Sequence, residues 1–168
     1  MTFTEQKKSI NQWFHSQCWQ VFPFQEKTWK AYLSGKSGLI HAPTGIGKTY
    51  AALGGPVIQA LSEAKESKGL QILWITPLRA LANDTAAAIS RLLSGLNMNW
   101  DVEIRHGDIS SSVRQRQRRR LPHVLVTTPE SLTLLLSYKD AEDKFKGLRC
   151  VVCDEWHELL STKRGVQT

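Results

Sequence analysis

Short apolar runs alternate along the chain with longer stretches in which polar residues are interspersed. The runs that read as strands are Gly38 to His41, Gln71 to Thr76, Val102 to Arg105, His123 to Thr127 and Leu148 to Cys153. Several are nearly continuous Val, Ile and Leu, as in strands covered on both faces. Helix-compatible stretches fall between them: Gln25 to Ser34, Lys48 to Glu66, Leu81 to Leu93, Ser111 to Arg119 and Glu130 to Ser137. This alternation predicts an α/β fold with a mainly parallel sheet between helices. Ligands on such sheets bind beyond the carboxyl ends of the strands. Residues 1–24 differ in character. Trp13, Phe14, Trp19, Phe22 and Phe24 make them aromatic-rich, and Pro23 interrupts them just before the first helix. They are expected to form an N-terminal extension packed on a domain of residues 25–168.

Ala42-Pro-Thr-Gly-Ile-Gly-Lys-Thr49 lies between the first apolar run and a helical stretch. That is the strand, loop and helix setting of a Walker A phosphate loop. Gly45 and Gly47 let the backbone N–H groups of Thr44 to Lys48 close around a polyphosphate where a Cβ would obstruct. Lys48 can reach the terminal phosphates, and the Thr49 hydroxyl can ligate Mg²⁺. Ile46 stands where a small Ser or Thr is common. Only its backbone is needed there. A nucleotide site is predicted, with residues 1–24 shaping its base pocket.

Composition narrows the partners. The chain has 168 residues, 41% of them hydrophobic, enough for one domain with a real core. No apolar run could span a bilayer, so no membrane partner is expected. Met1 to Asn11 is polar and carries no secretory segment, which makes a cytoplasmic protein the default. Cys18, Cys150 and Cys153 show no disulfide framework, and residues 150 and 153 of a strand point to opposite faces. The formal charge is +7, in part from Arg114-Gln-Arg-Gln-Arg-Arg-Arg120. A basic surplus suits a polyanionic partner, although a run of this kind also fits a solvated helix face.

Asp154-Glu-Trp-His157 closes the last apolar run. Phosphoryl transfer at a Walker A loop needs a carboxylate near Mg²⁺ and a group orienting the attacking water. Asp154 suits the first role. Glu155 suits the second, as general base. His157 could link the nucleotide site to whatever moves on hydrolysis.

Asp-Glu-x-His following this phosphate loop resembles superfamily 2 DExH-box helicases. Phe22-Pro-Phe-Gln25, Ala42 to Thr49, Thr76-Pro-Leu-Arg-Ala-Leu-Ala82, Arg105-His-Gly-Asp108, Thr127-Thr-Pro-Glu-Ser131 and Asp154-Glu-Trp-His-Glu-Leu159 occur in family order. Together they resemble the Lhr-type helicases, in particular the bacterial branch associated with DNA ligase. The resemblance runs from Phe22 to the last residue. It implies a RecA-like P-loop domain that uses ATP and Mg²⁺ to move on nucleic acid, here single-stranded DNA in repair. By the same likeness a DNA ligase or nuclease would be a partner. Gln25 matches the glutamine that bonds the adenine edge. Pro77 and Arg79, Gly107 and Asp108, and Thr128, Pro129 and Glu130 match nucleic-acid contacts. By themselves, Thr76-Pro77 and Thr128-Pro129 read as strand-ending turns. Lys163-Arg-Gly165 is a further expected backbone contact. Ile109 stands where the family's Gly-Asp-Thr stretch has Thr.

Such a motor has two RecA-like domains, with ATP between them and arginines of the second completing the site. Eleven residues follow His157. The expectation is therefore a C-terminally truncated first domain that does not unwind by itself. Other readings of the residues are an RNA helicase domain, a P-loop kinase, and a non-catalytic nucleic-acid-binding module.

Overall fold

The computed structural model describes residues 3–63 and 68–160. Lys163 to Gly165 lie outside them. The chain divides into two compact units, Met1–Glu66 with Arg91–Asn99, and Ser67–Ser90 with Trp100–Thr168.

The first unit is helical: α1 (Phe3–Ser16), α2 (Pro23–Leu33) and α3 (Lys48–Ser62). Residues 3–16, expected only as an extension, form α1 and bury Ile10, Trp13 and Phe14. Pro23 occupies the first turn of α2, where a missing N–H costs nothing. Trp29 of α2 is fully buried, and its indole N–H donates to the Tyr50 carbonyl at 3.0 Å. Gly54 of α3 makes room for that ring, since a Cβ there would stand 2.2 Å from the Trp29 Nε1.

The second unit is built on a parallel sheet of β1 (Ile72–Ile75), β2 (Val102–Arg105), β3 (Val124–Thr127) and β4 (Cys150–Cys153). The order is β2-β3-β1-β4 and each pairing is parallel, as the α/β alternation requires. The connections carry α4 (Arg79–Gly95), α5 (Ser111–Arg119), α6 (Pro129–Leu136) and α7 (Ala141–Phe145), and α8 (Trp156–Leu160) follows β4. Leu73, Ile75 and Leu125 of one sheet face form a core with Leu132 and Leu135 of α6, and Phe145 of α7 packs against it.

Two expectations are corrected. Gly38 to His41 forms no strand: these residues are irregular, and Leu39 is 66% exposed. Apolar content alone does not make a strand without a ladder partner, and the four-stranded sheet leaves this stretch out. Leu148 to Cys153, an apolar run of the kind expected to be covered on both faces, is half-covered because β4 lies at the sheet edge, where Val151 is exposed. Among the described residues no helix is long and apolar enough to cross a membrane.

Candidate nucleotide loop and nucleic-acid edge

In the first unit, Gly45 and Gly47 have φ of +84° and +87°, left-handed values that turn successive N–H groups toward one concavity. Gly47 also has no room for a side chain, because a Cβ would lie 2.7 Å from Gln25 Nε2. Gln25 is fully buried and acts as a clamp. Its Oε1 accepts from the Phe22 N–H at 2.8 Å, and its Nε2 donates to the Gly47 carbonyl at 3.0 Å. The amide therefore joins the start of α2 to the end of the loop. Thr44 and Gly45 are exposed, and Ile46 is partly covered.

Lys48 opens α3 and folds back over its own loop, donating to the Ala42 and Pro43 carbonyls at 3.0 and 3.3 Å. These carbonyl oxygens hold the ammonium against its own loop. The Thr49 hydroxyl is half-buried and has no protein partner among the described residues. Tyr50 anchors the turn behind, its ring 5.2 Å from Trp13 and 5.7 Å from both Phe14 and Trp19. Burial pushes its phenol pKa up, against the pull of Arg91. The aromatic residues ahead of Pro23 thus brace the loop from behind.

In the second unit the parallel register aligns the carboxyl ends of all four strands. Ile75 stands beside Thr127 and Cys153, and Thr127 beside Arg105. Two bonds extend the ladders past the strand ends, from Thr76 N–H to the Thr127 carbonyl and from Asp154 N–H to the Ile75 carbonyl. Segments more than 75 residues apart in sequence consequently share one sheet edge: Thr76 to Arg79, His106 to Asp108, Thr128 to Glu130, and Asp154 to His157.

The expected nucleic-acid residues differ in what they present there. Arg79 and Asp108 are exposed and paired, Nη1 to Oδ2 at 2.7 Å. Gly107 lies against the same guanidinium, a Cβ there falling 3.2 Å from Arg79 Nη2. Pro77, Thr128 and Pro129 are buried, and the Thr128 hydroxyl donates to Ser131 Oγ at 3.4 Å. They shape the edge through backbone, while Glu130 is exposed at the start of α6.

Asp154 is partly buried. Its Oδ1 accepts from the Glu155 N–H at 3.0 Å, and its Oδ2 accepts from the Trp74 indole at 3.3 Å. Each oxygen keeps a further lone pair, so the group fits a hard cation such as Mg²⁺, which takes few protein carboxylates. Glu155 has φ of +47°, a left-handed conformation uncommon outside glycine. His157 Nε2 lies 3.5 Å from Glu155 Oε2 and is exposed to solvent.

Two contacts escape sequence reasoning. Trp74 is one; no spacing rule links it to Asp154. The other is the docking of the arginine-rich helix α5. Gln117, fully buried, donates to Glu103 Oε2 at 2.9 Å and to the Ile104 carbonyl at 3.0 Å, and accepts from the buried Arg105. Arg116 pairs with Glu103, and Arg118 lies over the Tyr138 ring. Gln115 and Gln117 both interrupt the arginine run, and nothing in the sequence singles out Gln117.

The chain is similar to known proteins. The chain is 33% identical over 173 residues to the ATP-dependent helicase Lhr-Core of Methanocaldococcus jannaschii, covering 95% of this chain and 20% of that protein. It is also 33% identical over 173 residues to the Lhr helicase/uracil glycosylase of Escherichia coli strain K12, covering 91% of this chain and 11% of that protein. The chain thus spans a fifth or less of the length of these curated relatives. Among solved structures it is similar to the Mycobacterium smegmatis helicase Lhr bound to ssDNA and AMP-PNP, with a TM-score of 0.80 and 33% identity, covering 93% of this chain and 21% of that one. The fold is accordingly RecA-like. The sequence profile described as DEAD/DEAH box helicase matches residues 22–168, and that span holds both the phosphate loop and the Asp154-Glu-Trp-His157 segment. The chain belongs to the DEAD/DEAH box helicase family.

Proposed function

We propose that the chain is the nucleotide-binding part of an Lhr-type ATP-dependent helicase that moves on single-stranded DNA. The observation that carries this reading is the common carboxyl edge of β1 to β4, which gathers Arg79, Gly107, Asp108, Thr128, Glu130 and Asp154. A similar protein, the M. smegmatis Lhr helicase, is known bound to ssDNA and AMP-PNP. The choice of DNA, a role in repair beside a ligase or nuclease, and a cytoplasmic setting rest on the family resemblance.

In this reading the N–H groups around Gly45 and Gly47 take the β-phosphate. Lys48 exchanges the Ala42 and Pro43 carbonyls for terminal phosphate oxygens. Magnesium, when bound, neutralises charge developing on the phosphates. By the family resemblance, Thr49 and Asp154 are the residues that would hold it. Glu155 takes a proton from the attacking water, and His157 beside it passes the change in charge to neighbouring segments. By the family resemblance Gln25 would read the adenine edge, while its buried amide bonds Phe22 and Gly47. The exposed arginines at the edge and on α5 grip the polynucleotide backbone. Residues 1–168 alone are not expected to separate strands.

The test is nucleic-acid-stimulated ATPase of the full-length protein with single-stranded DNA, RNA or no polymer. Stimulation by DNA, lost in Lys48→Ala while nucleic-acid binding persists, is the expected result. Stimulation by RNA alone would reassign the substrate. Polymer binding with no nucleotide turnover in the unaltered protein would leave a passive binding module.

A further inference from the structure

Trp74 lies in the middle of β1, almost fully buried, and belongs to none of the motifs that define the sheet edge. It stands beside Val152 in the β1–β4 register, and Asp154 follows two positions later. Residues two apart on a strand share a face, so Trp74 and Asp154 are diagonal neighbours on one side of the sheet. The indole N–H donates to Asp154 Oδ2 at 3.3 Å. On the other oxygen, Oδ1 accepts from the Glu155 N–H at 3.0 Å, and the Asp154 N–H itself donates to the Ile75 carbonyl at 2.8 Å. Three contacts thus fix the residue: one to its backbone and one to each carboxylate oxygen.

The donor's chemistry matters. An indole has one N–H, no acceptor and no charge. It can orient a carboxylate without neutralising it, whereas a Lys or Arg in the same place would compete with a cation. Its rigid ring, held by the buried strand, also has little rotamer freedom to lose. Partners that orient a metal-binding carboxylate from behind influence metal affinity strongly.

We propose that Trp74 is a positioning residue that holds the Asp154 carboxylate in the orientation needed to take the divalent cation of a metal–nucleotide complex. The inference rests on the reading of Asp154 as a cation ligand.

The test compares Trp74→Phe, Asp154→Ala and the double variant in the full chain. Mn²⁺ affinity is measured by electron paramagnetic resonance with saturating AMP-PNP, and nucleotide affinity is measured separately in EDTA. Trp74→Phe keeps an aromatic ring in the strand and removes the donor. It should weaken Mn²⁺ binding about tenfold, with nucleotide affinity in EDTA unchanged and no additional loss on the Asp154→Ala background. Equal loss with and without metal would show that Trp74 acts through folding and would overturn the proposal. So would a Trp74→Phe effect that persists without Asp154. If Asp154→Ala weakens Mn²⁺ binding and Trp74→Phe does not, the Trp74 role fails and the Asp154 reading survives. If Asp154→Ala has no effect, the Asp154 reading itself fails.

Discussion

Arg79 Nη1 lies 2.7 Å from Asp108 Oδ2, so two exposed residues of the shared sheet edge hold each other. In the proposed reading, a nucleic-acid phosphate competes with Asp108 for the guanidinium. Both side chains are more than half exposed, and pairs of that kind contribute at most about 1 kcal/mol. Asp108→Asn should therefore tighten single-stranded DNA binding by about twofold to fivefold at low salt. Arg79→Ala should weaken it and abolish the gain from Asp108→Asn. Fluorescence anisotropy across a salt series checks both. Weaker binding by Asp108→Asn would mean that Asp108 orients Arg79 rather than restrains it.

Gln25 joins Phe22 to Gly47 from a buried position. Its loss should loosen the loop whatever base is attached. Gln25→Ala is expected to lower the affinity for ATP and GTP together, with the larger loss for ATP if its amide also reads adenine. Calorimetric titration with both nucleotides separates the two contributions. Unchanged GTP binding would remove the loop-clamping role.

Gln117 is the polar pin of α5. Replacing it by Ala leaves the buried Arg105 and the Glu103 carboxylate without its amide. Orphaned buried polar groups cost about 1–3 kcal/mol each, so a clear fall in melting temperature is expected. Arg119 and Arg120 are exposed, with no protein partner among the described residues. Changing both to Ala should leave stability unaltered and reduce the salt slope of single-strand binding by about 1.4, at about 0.7 per phosphate contact. A stable Gln117→Ala variant would mean that α5 does not depend on this pin.

Cys150 precedes the acidic segment on β4, and burial pushes its thiol pKa up to about 11. Burial raises Cys153 as well. A raised thiol pKa leaves little thiolate near neutrality, and reactivity grows only as pH approaches that value. Iodoacetamide at pH 8, followed by peptide mass spectrometry, should modify the exposed Cys18 well before Cys150. Cys150 labelling as fast as Cys18 would contradict the packing of β4 on β1.

The amino-acid order by itself determined the elements whose stability is local. α5 spans Ser111–Arg119, as its pattern predicts, and Ser110 caps it by accepting from the Val113 N–H. The strands at 72–75, 102–105, 124–127 and 150–153 fall within apolar runs that periodicity picks out. The phosphate loop was equally legible, because its glycines are needed for backbone shape and φ is a local property. Tertiary structure decided whatever depends on a partner distant in sequence. Gly38 to His41 has strand composition but no ladder, since hydrogen-bonded pairing is supplied by another segment. Charge counting finds the arginines near 114–120, yet only folding shows Arg116 paired with Glu103 and Arg118 lying on Tyr138. The Trp74–Asp154 contact crosses 80 residues. It exists because parallel register brings β1 and β4 side by side, a nonlocal constraint that no window of sequence contains.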